Sequence, residues 1–486
     1  MICIVIKNHF LIMNNKILLT KKLIVSCIIY IILNFFAFLI LPSSPLTSIL
    51  ISSLLGFCIL YYIWIWFYKF NGAINNFGSY LLLSSIAYRI FNILVLLVVE
   101  DPLDSWPNEI NTSLDLNIII KSTSLFTGES LSVFGTLIIS LTWFYLGGIK
   151  FSRINFVKKE SFLSTWILYI LASLIFFIKI SELALFIYIS SFIIIYTVIQ
   201  INKLNNILIK EHNLIRAFFM LSPFIAISIK TGMKESIIVF LIPILIDLFY
   251  RYKTIAARLL LIFCSFISFL FFTLIADFIR LNYWGTKQIL SISSVYNYLI
   301  STIKTINFEF GFALVSKALL RISPLFYQGW TVSLTYLKDI HYTSLFSNIL
   351  AMFIPRFLWP TKPLNNPEHE MTVIFYGDKI AETTNEASGL YSELYLKEGF
   401  IGFVLISFLL GLYIFLLQKI VFKIKNKLAF NVFNFMLIYF SFRLHEYYFN
   451  AIFPGFLLYL IIVIIITGLV NLFILILHSK PIFYSN

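Results

Sequence analysis

Charge is what this sequence has least of. Lys, Arg, Asp and Glu make up 12% of 486 residues and hydrophobic residues 60%, whereas a soluble domain is about one-quarter charged. Water is therefore excluded as the main solvent of the fold. Cysteine is also scarce. Cys3, Cys27, Cys58 and Cys264 form neither a disulfide framework nor a zinc-ligand spacing. There is no Walker-type phosphate loop, Rossmann glycine pattern, HExxH or Gly-x-Ser-x-Gly elbow, so nucleotide hydrolysis, dehydrogenation and serine hydrolysis have no support. No short-period repeat, Gly/Ser linker or low-complexity tract divides the chain.

What is present is a succession of apolar runs. Their length predicts about twelve membrane-spanning helices, since about twenty residues cross 30 Å of hydrocarbon. The expected spans lie near 23–41, 46–68, 79–99, 130–149, 162–178, 181–200, 217–229, 237–250, 259–276, 400–417, 428–441 and 455–477. The fold class expected is all-α, a polytopic membrane protein. The first apolar run leads into charges and then a full-length span, so no cleavable leader is expected, and Met13 is an alternative start.

The net charge of +14 comes from Lys and Arg scattered over short loops instead of gathered in one stripe. That scatter argues against a nucleic-acid partner and for the positive-inside bias of membrane proteins. With the N-terminus inside, the inner loops carry Lys16, Lys21, Lys22, Lys69, Lys150, Arg153, Lys158, Lys159, Lys203, Lys210, Arg216, Arg251, Lys253, Arg258, Lys419, Lys423, Lys425 and Lys427. The connection 100–129, with Glu100, Asp101, Asp104, Glu109, Asp115 and Glu129 against Lys121, reads as an outer loop. Both termini are then cytoplasmic. The expected organisation is a bundle of about nine spans over 1–276, a large extracytoplasmic loop over 277–399, and about three spans over 400–486.

A loop that long should contain structure of its own. Phe312, Val315, Leu319, Ile322 and Phe326 recur at helical spacing with Lys317 and Arg321 on another face, which predicts a surface-lying helix. Further on, Ile354-Pro355-Arg356-Phe357-Leu358-Trp359-Pro360-Thr361-Lys362-Pro363 is too rich in proline for a regular helix, so Arg356 and Lys362 sit on a stiff segment. Fixed cations there suit a lipid diphosphate at the membrane surface. Interfacial anchoring by Trp359 and Arg356 is the plainer alternative.

The Ile354–Pro363 block and the block Ala387-Ser388-Gly389-Leu390-Tyr391-Ser392-Glu393-Leu394-Tyr395-Leu396-Lys397-Glu398-Gly399-Phe400-Ile401-Gly402 resemble the bacterial O-antigen polymerases of the Wzy type. The layout of many spans with one large late outer loop is similar across most of the chain. A third similarity is Thr231-Gly232-Met233-Lys234-Glu235-Ser236, where Lys234 stands in place of the more usual Arg.

The resemblance implies a glycosyltransferase that joins undecaprenyl-diphosphate-linked oligosaccharides on the outer side of the cytoplasmic membrane, with a flippase and a chain-length regulator as companions and membrane lipid around it. No cofactor and no metal is expected, and the outer segment lacks a close acidic pair for a divalent cation. A departing diphosphate gains charge that fixed cations stabilise, so Arg280, Arg321, Arg356 and Arg443, with Lys234 and Lys362, are candidate binding residues. Each has a plainer reading: Arg280 can pair with Asp277, Arg443 with Glu446, and Arg321 can be a solvated helix face. Candidate general bases are Glu393, then His445, His369 and Glu386, although a lone His or Glu at a span end is often only paired or interfacial. Trp284, Trp330, Trp359, Tyr376 and Tyr391 offer flat faces for sugars, as would an ordinary aromatic belt.

Charged residues also fall within spans. Asp247 can reach the inner surface near Arg251, whereas Arg89 lies too deep for that and requires a buried partner. The rival functions are a lipid-linked oligosaccharide flippase, which needs charges in a central cavity, and the related O-antigen ligase, which transfers the glycan to a lipid A core.

Overall fold

A computed structural model of the chain describes residues 24–71, 77–99, 118–146, 292–305, 323–336 and 389–423, with individual positions within 254–268, 312–319, 345 and 437–472. Every element among them is helical: α1 (Ile24–Ile40), α2 (Pro45–Asn71), α3 (Phe77–Val98), α4 (Ile118–Tyr145), α5 (Ile292–Thr305), α6 (Leu325–Ser333) and α7 (Leu390–Lys423), with a 3-10 turn at Leu334–Tyr336. Among the described residues, four helices are long and apolar enough to cross a membrane: Pro45–Phe67, Phe77–Val98, Ile120–Tyr145 and Leu390–Ile420. They match the expected spans 46–68, 79–99, 130–149 and 400–417. The expected spans 162–178, 181–200, 217–229 and 237–250 lie outside the described residues, and 259–276, 428–441 and 455–477 lie mostly outside them.

The chain divides into two compact units. One comprises Met1–Arg153, Leu319–Leu417 and Phe440–Gly455; the other comprises Ile154–Ala318, Gln418–Tyr439 and Phe456–Asn486. In the first unit, α2, α3 and α4 pack against one another and α6 packs on α4. Its outside is apolar: Phe35, Phe36 and Leu39 on α1, and Phe400, Ile401 and Leu405 on α7, are each more than half exposed. Its inside holds Ser48, Ser52, Arg89, Asn92, Glu129 and Ser132, all fully buried. Apolar outside and polar inside is the arrangement of a membrane protein, where lipid wets the surface and interhelical hydrogen bonds join the helices.

Polar side chains pair along antiparallel neighbours. Between α1 and α2, the Ser48 hydroxyl donates to the Ala37 carbonyl at 2.5 Å and Ser52 donates to Asn34 Oδ1 at 2.8 Å. Asn34 in turn donates to Ser130 Oγ on α4 at 2.8 Å. Small residues on α4 admit close neighbours: a Cβ at Gly128 would meet the Gln328 backbone at 3.0 Å, and one at Gly135 would overlap the Tyr391 ring.

Three details differ from the sequence reading. First, Glu129, counted in the outer connection, lies inside α4 and is fully buried. Second, the helix expected through Phe312–Phe326 is broken at Ser323-Pro324. Phe312, Val315 and Leu319 are helical as expected, with Phe312 exposed and Leu319 buried, while Phe326 belongs to α6, a separate and buried helix. Third, α7 begins at Leu390, ten residues before the expected span start at 400. It is kinked at Gly399, whose φ of 68° is left-handed backbone that glycine adopts without steric cost.

Candidate functional site

The first unit is organised around two polar stripes. On α3, Ser85, Arg89 and Asn92 recur at helical spacing, and on α4 so do Glu129, Ser132 and Thr136. The helices are antiparallel, so the stripes meet in opposite order. Thr136 Oγ1 donates to Ser85 Oγ at 3.3 Å, Arg89 Nη2 donates to Ser132 Oγ at 2.8 Å, and Asn92 Nδ2 donates to Glu129 Oε2 at 2.6 Å. Arg89 Nη1 also lies 2.5 Å from Glu129 Oε2 and donates to the Glu129 carbonyl at 3.1 Å. This supplies the partner that a deeply placed arginine requires. The carboxylate offsets its charge, and hydrogen bonds replace much of its lost hydration.

Hydrogen bonds extend the pair into a ring that begins and ends on α6. The Leu325 N–H donates to Ser323 Oγ at 3.3 Å, and Ser323 donates to Asn92 Oδ1 at 2.5 Å. From Asn92 the ring passes to Glu129, then Arg89, then Ser132. Ser132 Oγ lies 3.0 Å from His445 Nδ1. The ring closes where Gln328 Nε2 donates to the His445 carbonyl at 3.3 Å. The buried helix α6 is thereby fastened to α3 and α4 at one end and to the His445 turn at the other.

His445 is fully buried between two tyrosines. Its ring centroid lies 4.7 Å from that of Tyr88 and 5.4 Å from that of Tyr391, the latter edge-on. Tyr391 comes from the first turn of α7 and reaches Thr136 Oγ1 at 3.2 Å. Gly389, just before that turn, has a φ of +76°, and a Cβ there would lie 2.8 Å from the His445 carbonyl. Glycine is needed at this position for both its backbone angle and its lack of a side chain.

Glu393, one turn of α7 further on, is also fully buried. Its Oε2 accepts the Phe449 N–H at 2.7 Å and its Oε1 lies 3.2 Å from Lys397 Nζ. It ties the chain after His445 to α7. Glu398 plays a similar part for the residues before α7, accepting the Leu345 N–H at 3.0 Å. Ser84 donates to the Ser441 carbonyl at 2.8 Å, and Tyr413 donates to the Phe453 carbonyl at 2.9 Å.

Of the expected site residues, the structure brings Glu393 and His445 into one buried neighbourhood. Arg280, Arg321, Arg356, Arg443, Lys234, Lys362, Trp359 and His369 lie outside the described residues, as do Asp247 and Glu386. Trp330 is buried in α6, where its ring meets Tyr327 edge-on at 5.4 Å. Sequence reasoning passed over Asn92, Ser132, Ser323 and Gln328. For two of them a signal existed: Asn92 stands three residues after Arg89, and Ser132 three after Glu129, each on the face of one charge and bonded to the charge on the facing helix. No family model matches the chain, and neither a curated protein nor a solved structure matches it.

Proposed function

We propose that this protein is a metal-independent glycosyltransferase that polymerises undecaprenyl-diphosphate-linked oligosaccharide repeat units into O-antigen or a related surface polysaccharide. In this reading it spans the bacterial inner membrane about twelve times. Both termini are cytoplasmic and the segment 277–399 faces outward. The transfer forms a bond from an acceptor hydroxyl oxygen to the donor's anomeric carbon and breaks the bond from that carbon to the diphosphate oxygen. The electron pair leaves with the diphosphate, and the acceptor's proton passes to a base, for which Glu393, His445 and His369 are the candidates. Arg280, Arg321, Arg356, Arg443, Lys234 and Lys362 are the candidate cations for the diphosphate, and Trp359 for the glycan.

One observation carries this reading furthest. The block Ala387–Gly402, which bears the resemblance to O-antigen polymerases, includes the buried first turn of α7, on which Tyr391 meets His445 and Glu393 holds the Phe449 N–H. Two base candidates chosen from sequence alone thus belong to one packed neighbourhood.

A specific observation favours the flippase alternative: Arg89 and Glu129 are charges inside a helix bundle, as transport along a polar path requires. Their mutual pairing weighs the other way, because each charge is already offset by the other, with Ser132 bonded to Arg89 and Asn92 to Glu129.

Deleting the gene and resolving the surface polysaccharide by gel separates the readings. Loss of a polymerase leaves core capped by a single repeat unit. Loss of a ligase leaves bare core with lipid-linked polymer accumulating, and loss of a flippase leaves neither polymer nor capped core. Normal long chains after deletion would defeat the proposal.

A further inference from the structure

We infer that Ser132 fixes His445 as the tautomer protonated at Nε2, and that His445 serves the proposed transfer as a hydrogen-bond donor to an oxygen of the lipid diphosphate, not as its base. This rests on the glycosyltransferase reading and assigns one residue of its site.

The assignment comes from counting protons around Ser132 Oγ. Its partners are Arg89 Nη2 at 2.8 Å and His445 Nδ1 at 3.0 Å. A guanidinium only donates, so Arg89 occupies a lone pair of the hydroxyl and cannot take its proton. The Ser132 proton therefore has one destination, His445 Nδ1. Were Nδ1 protonated instead, in the other tautomer or in the imidazolium, it would donate to Ser132, and the hydroxyl proton would be buried without an acceptor. With Nδ1 accepting, the ring proton resides on Nε2. The second nitrogen of a histidine is set in this way by the hydrogen bond that the first one makes.

His445 Nε2 is buried and has no hydrogen-bond partner among the described residues. An N–H in that position is a donor held ready for an oxygen acceptor. The imidazole cannot turn freely to present another edge, because Tyr88 and Tyr391 flank it and Ser132 holds it. Arg89 Nε is a second buried N–H without a hydrogen-bond partner, on the side chain that positions Ser132. An N–H donor fixed in this way suits an anionic oxygen such as that of a diphosphate. Ser132 acts as a positioning residue, and Glu393 and His369 remain as the base candidates.

The test uses full-length protein with isotopically labelled histidine, together with chain-length analysis of the polysaccharide that each variant makes. The 15N spectrum of the wild type should show His445 with a protonated Nε2 and a bare Nδ1. Ser132→Ala should relax that preference while Ser132→Thr keeps it. An Nδ1-protonated or cationic His445 in the wild type would overturn the tautomer, whatever the enzyme does. For the role, His445→Gln keeps an N–H near the Nε2 position but cannot act as a base near neutral pH. It should retain at least a tenth of wild-type chain extension, whereas His445→Ala should lose a hundredfold or more. Equal loss in both would mean a base, and no loss in His445→Ala would mean no part in the reaction; either overturns the donor role. Absence of polymer from the wild type would instead defeat the underlying glycosyltransferase reading and leave the tautomer result standing.

Discussion

The Arg89 guanidinium lies 2.5 Å from the Glu129 carboxylate with neither side chain exposed, and this pair joins α3 to α4 at the centre of the hydrogen-bonded ring that holds α6. Such a pair is costly to assemble and more costly to break by halves.

Arg89→Met or Glu129→Leu should each destabilise the protein by about 3–5 kcal/mol, because each leaves an uncompensated buried charge. The double variant should be more stable than either single one. Thermal unfolding of the purified protein in detergent measures all three, and additive losses would show that the residues do not act as a pair.

Asn92 donates to Glu129 Oε2 at 2.6 Å and accepts from Ser323. Asn92→Asp replaces that donor with a second carboxylate. At neutral pH the two like charges should destabilise the fold, and acidification that protonates one of them should restore a hydrogen bond. The variant should therefore gain stability relative to wild type as pH falls, seen as a narrowing melting-temperature gap. A gap that is constant with pH would contradict the contact.

Tyr391 packs directly on Gly135 of α4, leaving no space for a Cβ. Gly135→Ala should cost about 1–3 kcal/mol by overpacking, and adding Tyr391→Leu should recover part of the loss. The recovery, measured by the same unfolding assay, is what distinguishes this contact from a general effect on the helix.

Arg356→Ala and Arg321→Ala should each abolish long chains while the protein remains in the membrane at normal abundance, as read by polysaccharide gel and membrane immunoblot. Unchanged chain lengths in both variants would remove these cations from the proposed site.

The sequence made the spans of α2 and α3 legible because their hydrophobic runs are nearly unbroken. It read α4 late, starting near 130, because Lys121, Ser122, Thr123, Ser124, Gly128, Glu129 and Ser130 resemble an outer loop in hydropathy. Those residues include the ones that let helices approach and bond to one another, so a buried polar face was counted as exposure to water. Arg89's need for a partner was legible from its depth, but its identity was not, since pairing depends on helix packing. Glu393 and His445 were visible from their positions at span ends. For Asn92 and Ser132 only the helical spacing from a neighbouring charge is legible, and for Ser323 nothing is, because a serine or an asparagine does not reveal its partner on another helix.

Reconstitution of the purified protein in liposomes with its undecaprenyl-diphosphate-linked repeat unit separates polymerisation from transport. A polymerase yields a ladder of longer lipid-linked glycans, with one undecaprenyl diphosphate released for each linkage formed. Movement of the repeat unit across the bilayer with no elongation and no released diphosphate would contradict the proposed function.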